Sequence, residues 1–226
     1  FGYGKVEDSY YEAFFNWMRK HHGVDVEKEN VRFATGVVGS LYAAVRAYTK
    51  EDASVIICPP VYYPFYDAIL NTGRKLVTCD LDNHDGHFEE NQVSMFILCS
   101  PHNPVCRVWT EEELEKVLDI CRRHGVLVLA DEIHQDFTYG DHHFVSTAIV
   151  KGGEYKDNLV ILNAGSKTFN LAGLIHSHVV IYDKKLMETY DAYIKTVGSA
   201  EVNIMGVTAL EAAYCGGEEW FENVKA

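Results

Sequence analysis

The amino-acid sequence predicts an α/β fold in which strands and helices alternate along the chain. Seven short runs rich in Val, Ile and Leu are apolar at successive positions, which is typical of strands that are buried on both faces. Segments whose apolar residues recur at helical spacing lie between these runs. Because parallel neighbouring strands are joined by crossover helices, this alternation indicates a doubly wound domain with a largely parallel sheet.

The predicted elements follow one another from residue 9 towards the end of the chain. Strands are expected over residues 31–35, 54–58, 75–80, 95–100, 126–131, 159–163 and 178–182. Helices are expected over residues 9–19, 40–50, 110–124, 186–196 and 204–214. The helix at 110–124 opens with Thr110 and Glu113, a pair that forms a capping box when each side chain hydrogen-bonds the backbone N–H of the other.

The composition excludes several functional classes. The 226 residues are 47% hydrophobic and 23% charged, as in ordinary globular domains, so a disordered or collagen-like chain is excluded. The 20 Lys and Arg residues against 33 Asp and Glu residues give a net charge of −13. This charge argues against nucleic acid or an anionic membrane surface as the main partner. Because the sequence has no long uninterrupted apolar run, no membrane-spanning helix is predicted.

Cysteine use and the two ends of the chain give further expectations. The cysteines are Cys58, Cys79, Cys99, Cys106, Cys121 and Cys215. Three of them end strand-like runs and none belongs to a CxxC pair, so buried thiols in a reducing compartment are favoured over a disulfide framework. We therefore predict a cytoplasmic protein. The chain opens without Met or an apolar signal segment and closes inside a helical pattern, which predicts a fragment of a longer protein.

Five segments that follow predicted strands carry unusual chemistry, and ligands of doubly wound sheets bind at the carboxyl ends of strands. The segments are residues 35–40, 59–65, 100–107, 131–136 and 166–173. The first is a glycine-containing strand–helix junction whose free N–H groups would bind a phosphate, although an ordinary junction remains the alternative because P-loop and Rossmann spacings are missing. The second is an aromatic loop that a core or surface cluster would also explain. In the third, two prolines around Asn103 either aim its side chain or form a simple loop.

The last two segments place charged residues directly after buried strands. Asp131 needs a cationic partner or a metal there. Because Asp131, His134 and Asp136 do not share one face of a strand and no HExxH helix is present, no metal is predicted. Lys167 would be costly to desolvate at a buried strand end unless its pKa fell or it became covalently bound. An exposed loop lysine is the alternative.

Taken together and in this order, the five segments resemble the aminotransferase-like (fold type I) pyridoxal-phosphate enzymes. The strings SPHNPVCR, DEIHQD and SKTFNLAGL, which begin at residues 100, 131 and 166, are similar to the cystathionine β-lyase, or C–S β-lyase, branch of that family. The resemblance extends over the whole chain. It implies the family's large domain, with a mostly parallel seven-stranded sheet and helices on both faces.

The resemblance also implies an organisation into parts. Residues 1–30 would form a helical segment that leads into the large domain, and residues 31–185 would form the core that binds pyridoxal 5′-phosphate. Residues 186–226 would form helices that lead towards a small domain, which lies beyond this sequence together with an N-terminal segment. The family acts on small-molecule amino acids as a homodimer whose active sites share residues across the interface.

Four residues match positions at which the family carries out its chemistry. Lys167 would bind the cofactor covalently and then move protons on and off the substrate Cα. Asp131 would pair with the pyridine nitrogen N1 and keep it protonated, so that the ring can accept electrons. Asn103 would hydrogen-bond the cofactor's 3-oxygen, and His134 lies where the family places a second group near that oxygen.

Five further residues match positions that hold the cofactor in place. Tyr62 would stack on the ring. Val37 and Val38 would offer backbone N–H groups to the phosphate, and Ser166 would offer its hydroxyl. Tyr3 matches a tyrosine that the family lends to the phosphate of the neighbouring subunit, which implies a dimer.

Two positions depart from the family pattern. Cys106 stands where glycine is usual, and if that position needs a positive φ, cysteine costs on the order of 1 kcal/mol and tilts the turn that carries Asn103. Ile175 stands where many aminotransferases carry a phosphate-binding arginine. This second departure favours the lyase branch and leaves the phosphate more dependent on neutral donors.

The function that the resemblance implies is β-elimination of a thiol from cystathionine or a similar S-substituted cysteine, which yields pyruvate and ammonia. An aminotransferase, in which Lys167 reprotonates the cofactor carbon C4′ instead, is the first alternative. A non-catalytic regulatory protein that keeps the fold is the second. The intact Lys167, Asp131, Asn103 and Tyr62 count against that second alternative.

Overall fold

One seven-stranded sheet organises residues 4–80, 92–198 and 202–226, which a computed structural model of the chain describes. The strands are β1 (Val31–Ala34), β2 (Ser54–Ile57), β3 (Lys75–Thr78), β4 (Val93–Cys99), β5 (Leu127–Asp131), β6 (Leu159–Asn163) and β7 (Ser177–Val180). Their order across the sheet is β1-β7-β6-β5-β4-β2-β3. Strands β2 to β6 are parallel to one another, whereas β7 is antiparallel to both β6 and β1. The predicted seven-stranded, mostly parallel sheet is confirmed, with β7 reversed.

Seven α-helices accompany the sheet within the described ranges. They are α1 (Asp8–His22), α2 (Val37–Tyr48), α3 (Pro64–Leu70), α4 (Glu111–Arg123), α5 (Lys184–Val197), α6 (Ile204–Gly216) and α7 (Glu218–Lys225). The predicted capping box begins α4: the Thr110 side chain accepts from the Glu113 N–H at 3.2 Å, and the Thr110 N–H donates to the Glu113 carboxylate at 2.9 Å. Helices α1 and α5 end at Gly23 and Gly198, whose φ angles of 65° and 67° lie in the left-handed region that glycine adopts freely.

Helices cover both faces of the sheet, as predicted. Helices α1, α4, α6 and α7 contribute to one apolar cluster, and α2, α3 and α5 contribute to the other. Because successive side chains of a strand point to opposite faces, β4 sends Phe96 and Leu98 into the first cluster and Met95 and Ile97 into the second. The central strands are therefore buried on both sides, which explains why their sequences are apolar throughout.

Two helices differ from the prediction. The segment 59–65 was expected to be a loop, but its last two residues belong to helix α3, which starts at Pro64. Proline is favoured at the first position of a helix because its fixed φ suits the helix and its missing N–H would have no partner there. Helix α2 begins at Val37 rather than at residue 40, so the glycine-containing junction is shorter than expected.

The structure also bears on the membrane and cysteine predictions. None of the helices in the described ranges has the length and apolar character needed to cross a membrane. Cys58, Cys79, Cys99 and Cys121 are buried, as expected, whereas the remaining two cysteines are exposed, and none of the six is in a disulfide.

Candidate active site

A cleft of about 320 Å³ opens where the segments after β1, β2, β4, β5 and β6 meet, at the carboxyl edge of the parallel strands. Eight predicted site residues line it: Val37, Val38, Tyr62, Asn103, Asp131, His134, Ser166 and Lys167. The ninth, Tyr3, lies outside the described residues. Side chains from five separate segments of the chain are therefore brought to one cavity, as the ligand-binding rule for such sheets predicts.

The first turn of α2 forms one wall of the cleft. Gly36, the residue before the helix, has a φ of 83° and offers no side-chain hydrogen bond to cap it. The first N–H groups of a helix have no partner within the helix, so those of Val37 and Val38 are available to an anion in the cleft. A Cβ at position 36 would stand 3.2 Å from the Ile175 side chain, so both the positive φ and the close approach favour glycine. Ser166, nearly buried, faces the same cavity.

Asp131 is the last residue of β5 and is 3% exposed. One carboxylate oxygen accepts from the Ile133 N–H at 3.2 Å. Burial raises the pKa of Asp131 to about 7, an effect that this hydrogen bond and the positive charge of Lys167 oppose. The carboxyl group has no ion pair among the described residues, so it would gain most from a ligand that brings a cation to it.

Asn103 and His134 both line the cleft. The turn that carries Asn103 is held by the His102 N–H, which donates to the Arg107 carbonyl at 2.7 Å, and by the Asn103 N–H, which contacts the Cys99 sulfur at 3.4 Å. Burial, together with the charge of Lys167, lowers the pKa of His134. His134 is therefore a neutral imidazole near pH 7, able both to donate and to accept a hydrogen bond.

Lys167 lies on the wall of the cleft but is exposed, so the expectation of a buried lysine is wrong. Three residues separate it from Asn163, the end of β6, and they lead into a tight turn. The Phe169 N–H donates to the Gly165 carbonyl at 3.0 Å and the Leu171 N–H to the Ser166 carbonyl at 2.9 Å. These bonds turn the chain back on itself, and the lysine side chain is thereby presented to the open side of the cavity.

Tyr62 completes the set of predicted residues and is half-buried. Its ring makes edge contacts with Tyr63 and Phe65 at centroid distances of 5.4 and 6.3 Å. Burial, then the neighbouring Tyr63 and Asp131, raises the pKa of the phenol, so Tyr62 remains neutral. An aromatic ring held in this way offers a flat apolar surface to a ligand ring.

The sequence analysis missed His176, which also lines the cleft. Its Nε2 atom is 2.9 Å from the Tyr10 hydroxyl, which lies 2.6 Å from Nε2 of His178. His178 in turn contacts the Asn163 side chain at 3.0 Å, so a buried polar chain runs from the cleft to the end of β6. The alternation of His176 and His178 at the start of the segment that forms β7 was a signal that could have revealed this chain.

Cys106 adopts a φ of 58°, the left-handed conformation that glycine reaches without strain. Position 106 therefore has the positive φ at which cysteine is strained relative to the usual glycine. Its N–H donates to the His102 carbonyl at 2.8 Å, which fixes the strained residue within the turn that carries Asn103. The strain lies in the backbone of Cys106, whose side chain is exposed.

Replacing Cys106 with glycine is expected to stabilise the protein by up to about 1 kcal/mol, because relief of the left-handed strain outweighs the greater flexibility of the unfolded chain. The midpoint of thermal or urea unfolding measures this effect. Val105→Gly is the matched control: Val105 lies on the same exposed loop with an ordinary φ, so glycine there should lower the midpoint. A midpoint that falls equally in both variants would contradict the strain assigned to Cys106.

Comparisons with known proteins agree with this geometry. The family model described as "Aminotransferase class I and II" matches residues 1–213. Cystathionine beta-lyase PatB of Bacillus subtilis (strain 168) is 36% identical over 236 aligned positions, which cover 99% of this chain and 60% of PatB. The chain thus spans about 60% of the length of the curated relatives it matches.

Two solved structures have closely similar folds. Cystalysin from Treponema denticola, which contains a pyridoxal 5′-phosphate cofactor, matches with a TM-score of 0.91 and 30% identity over 98% of this chain and 59% of its own. The PLP-bound C-S lyase from Staphylococcus hominis matches with a TM-score of 0.90 and 30% identity over 99% of this chain and 59% of its own. These likenesses confirm the fold that the resemblance implied.

Proposed function

Because the chain belongs to the aminotransferase class I and II family, we propose that it is the larger part of a pyridoxal 5′-phosphate-dependent C–S β-lyase. The enzyme cleaves cystathionine or a similar S-substituted cysteine to a thiol, pyruvate and ammonia. One observation carries the proposal: a single cleft joins an accessible lysine, a buried carboxyl group without an ion-pair partner among the described residues, and the free N–H groups of a helix start.

The groups in the cleft fit this cofactor. A phosphate suits the uncapped first turn of α2, and a protonated pyridine nitrogen suits Asp131, whose ionisation is unfavourable without a nearby cation. The aldehyde needs a primary amine, which Lys167 supplies within the same cavity. A cleft of about 320 Å³ lies within the size range of small-molecule cofactor sites.

Four residues would perform the chemistry at stated atoms. When bound, pyridoxal phosphate supplies an electron sink for the pair left on the substrate Cα. The Lys167 amine would hold the cofactor until the amino group of the substrate displaces it. The freed amine would then take the Cα proton, and the thiol would leave with the electron pair of the Cβ–S bond. The Asp131 carboxylate keeps the ring nitrogen protonated. Asn103 donates its amide N–H to the 3-oxygen, and the neutral His134 lies beside it as a second partner.

Other residues would hold the cofactor without entering the reaction. Val37 and Val38 donate backbone N–H groups to the phosphate, Ser166 donates its hydroxyl, and Tyr62 stacks on the ring. Because Ile175 occupies the position where many aminotransferases carry an arginine, these neutral donors bear more of the phosphate binding. Tyr3 would serve the neighbouring subunit of a homodimer.

The lyase is preferred to the aminotransferase on two grounds. Relatives that cover nearly the whole chain are named cystathionine beta-lyase and C-S lyase, and Ile175 replaces the arginine common in transaminases. The aminotransferase remains the second candidate, because the same cleft would serve it. We also propose a cytoplasmic enzyme that acts on small amino acids rather than on nucleic acid or membranes, in keeping with the net charge of −13.

The full-length enzyme, loaded with pyridoxal phosphate and given cystathionine or S-methylcysteine, is expected to release pyruvate, ammonia and a thiol in equal amounts without a keto acid. Coupled assays for pyruvate and free thiol measure the products. The control is the same mixture with a keto acid added, which should not raise the rate. Product that forms only when the keto acid is present would make the protein an aminotransferase. Cofactor binding without either reaction would favour a non-catalytic protein of this fold.

A further inference from the structure

Another buried carboxylate, Asp136, is not among the residues that line the cleft, and it lies instead at a smaller pocket together with His22. Its side chain is 3% exposed. One of its oxygens is 3.1 Å from the Trp17 ring N–H and 2.8 Å from Nε2 of His22. Its other oxygen accepts a short hydrogen bond from the Thr168 hydroxyl. Three side chains thus converge on one enclosed carboxylate.

The hydrogen bonds keep Asp136 ionised. Burial by itself raises the pKa of a carboxyl group, but the hydrogen bonds from His22, Thr168 and Trp17 outweigh burial and hold the pKa of Asp136 below its ordinary value. An ionised carboxylate only accepts hydrogen bonds, so Nε2 of His22 is the donor in that contact. Hydrogen bonds to an ionised group are shorter and stronger than neutral ones, which makes Asp136 a firm anchor for its three donors.

The anchored groups come from different parts of the fold. Trp17 and His22 belong to α1, and Thr168 follows Lys167 directly in the turn after β6. Asp136 itself lies five residues beyond Asp131, on the segment that also carries His134. The bond between Asp136 and Thr168 therefore joins the segment that bears two proposed cofactor ligands to the turn that bears the proposed reactive amine.

We propose that Asp136 and Thr168 are positioning residues that hold the Lys167 turn in register with Asp131 and His134. Because Lys167 is exposed, the packing of its own side chain constrains the amine less than it would in a buried residue, and the anchored turn takes a larger part in its placement. Misplacement of a reacting group by about 1 Å can lower a rate by about 10²-fold. This proposal depends on the proposed function in one respect, which is that Lys167 is the reactive amine.

The test uses the full-length enzyme loaded with pyridoxal phosphate and two substitutions of nearly unchanged size. Thr168→Val removes the hydroxyl, whereas Thr168→Ser retains it. We expect Thr168→Val to lower kcat by about tenfold or more with KM nearly unchanged, because the turn shifts while the contacts to substrate stay. It should also shift the pH midpoint of the visible absorption of the lysine-bound cofactor. Thr168→Ser should restore both values to within about threefold of the wild type.

A matched control separates positioning from loss of stability. Trp17→Phe also removes one donor to Asp136, but from α1, and phenylalanine keeps an aromatic ring at the contact with Phe169, whose ring centroid lies 5.1 Å from that of Trp17. It should lower the unfolding midpoint while leaving kcat and the absorption midpoint near the wild-type values. Equal losses of kcat in Trp17→Phe and Thr168→Val, or a wild-type spectrum and kcat in Thr168→Val, would overturn the proposal. If Thr168→Val does not fold, Thr168→Ala replaces it, since its smaller side chain leaves room for water to hydrate Asp136.

The two proposals fail in different ways. An enzyme that releases no pyruvate from S-substituted cysteines would refute the lyase function. The absorption of the bound cofactor would still report the position of the Lys167 amine in each Thr168 variant, whatever reaction the enzyme performs. An unchanged absorption midpoint in Thr168→Val would then refute the positioning role alone.

Discussion

Replacement of Lys167 with alanine is expected to lower turnover of the full-length enzyme by at least about 10²–10⁴-fold, the range expected from loss of the proton-transfer group alone. The substitution also removes the covalent attachment, so the total loss is larger. Lys167 lines the cleft, and its charge acts on both Asp131 and His134. Among the described residues that line the cleft, no other is a lysine that could take over its role. Rates of pyruvate release from an S-substituted cysteine measure the effect.

The same variant should still bind the cofactor, though weakly. The N–H groups at the start of α2, the Ser166 hydroxyl and the Tyr62 ring are untouched by the substitution. Borohydride reduction followed by mass spectrometry should therefore attach the cofactor to the wild-type chain and not to Lys167→Ala. Lys184→Ala, on the exposed face of α5, is the matched control and should behave as the wild type. Turnover near the wild-type rate in Lys167→Ala would exclude it as the reactive amine.

The strands could be predicted because burial on both faces leaves a direct record in the sequence. The central strands β4, β5 and β6 are mostly apolar and buried, and the polar residues that follow β4 and β5 mark the edge at which the cleft opens. The reversal of β7 could not be predicted, because its four residues are all buried and an apolar run carries no sign of direction. The short helix α3 was hidden because its first residue, Pro64, also suits a loop.

Part of the candidate site could be predicted, because a polar residue that directly follows an apolar strand stands out in the sequence. The place of Asp131 and Asn103 after apolar runs marked them as candidates, whereas the roles expected of them came only from the resemblance to the family. The exposure of Lys167 could not be inferred, because it depends on the turn that follows residue 163. His176 was missed because its partner Tyr10 is 166 residues away, and contacts at that separation depend on the tertiary fold.

Replacement of Asp131 with asparagine is expected to lower kcat/KM by about 10²- to 5 × 10³-fold, since removing one partner of a buried ion pair costs roughly 3–5 kcal/mol. Asparagine has nearly the same size but cannot neutralise a protonated ring nitrogen. Cofactor affinity should fall as well, and titration of the cofactor-free full-length enzyme with pyridoxal phosphate measures that loss directly. Pyruvate release gives the kinetic effect.

The pH dependence of stability gives a second test of Asp131, through the raised pKa of its buried carboxyl group. In the cofactor-free protein, burial raises the pKa of Asp131 from 3.8 to about 7, so the folded state holds its proton more tightly than the unfolded state. The stability that this proton contributes is complete below about pH 4 and is lost as the pH rises through 7, by roughly 4 kcal/mol at most. Asp131→Asn should lack this contribution, so its urea midpoint should change less between pH 5 and pH 8 than that of the wild type.

Glu132→Gln is the matched control, because it makes the same chemical change one residue away in an equally buried position. The Glu132 carboxylate accepts from the Ser146 hydroxyl at 2.8 Å and from the Thr147 N–H and hydroxyl at 2.8 and 2.7 Å. The side-chain oxygen of glutamine can still accept both hydrogen bonds from Thr147. Its NH₂ group can donate to the Ser146 hydroxyl, which then accepts a hydrogen bond instead of donating one. Cofactor affinity and kcat/KM should therefore stay near the wild-type values, and equal losses in the two variants would contradict a pairing of Asp131 with the ring nitrogen.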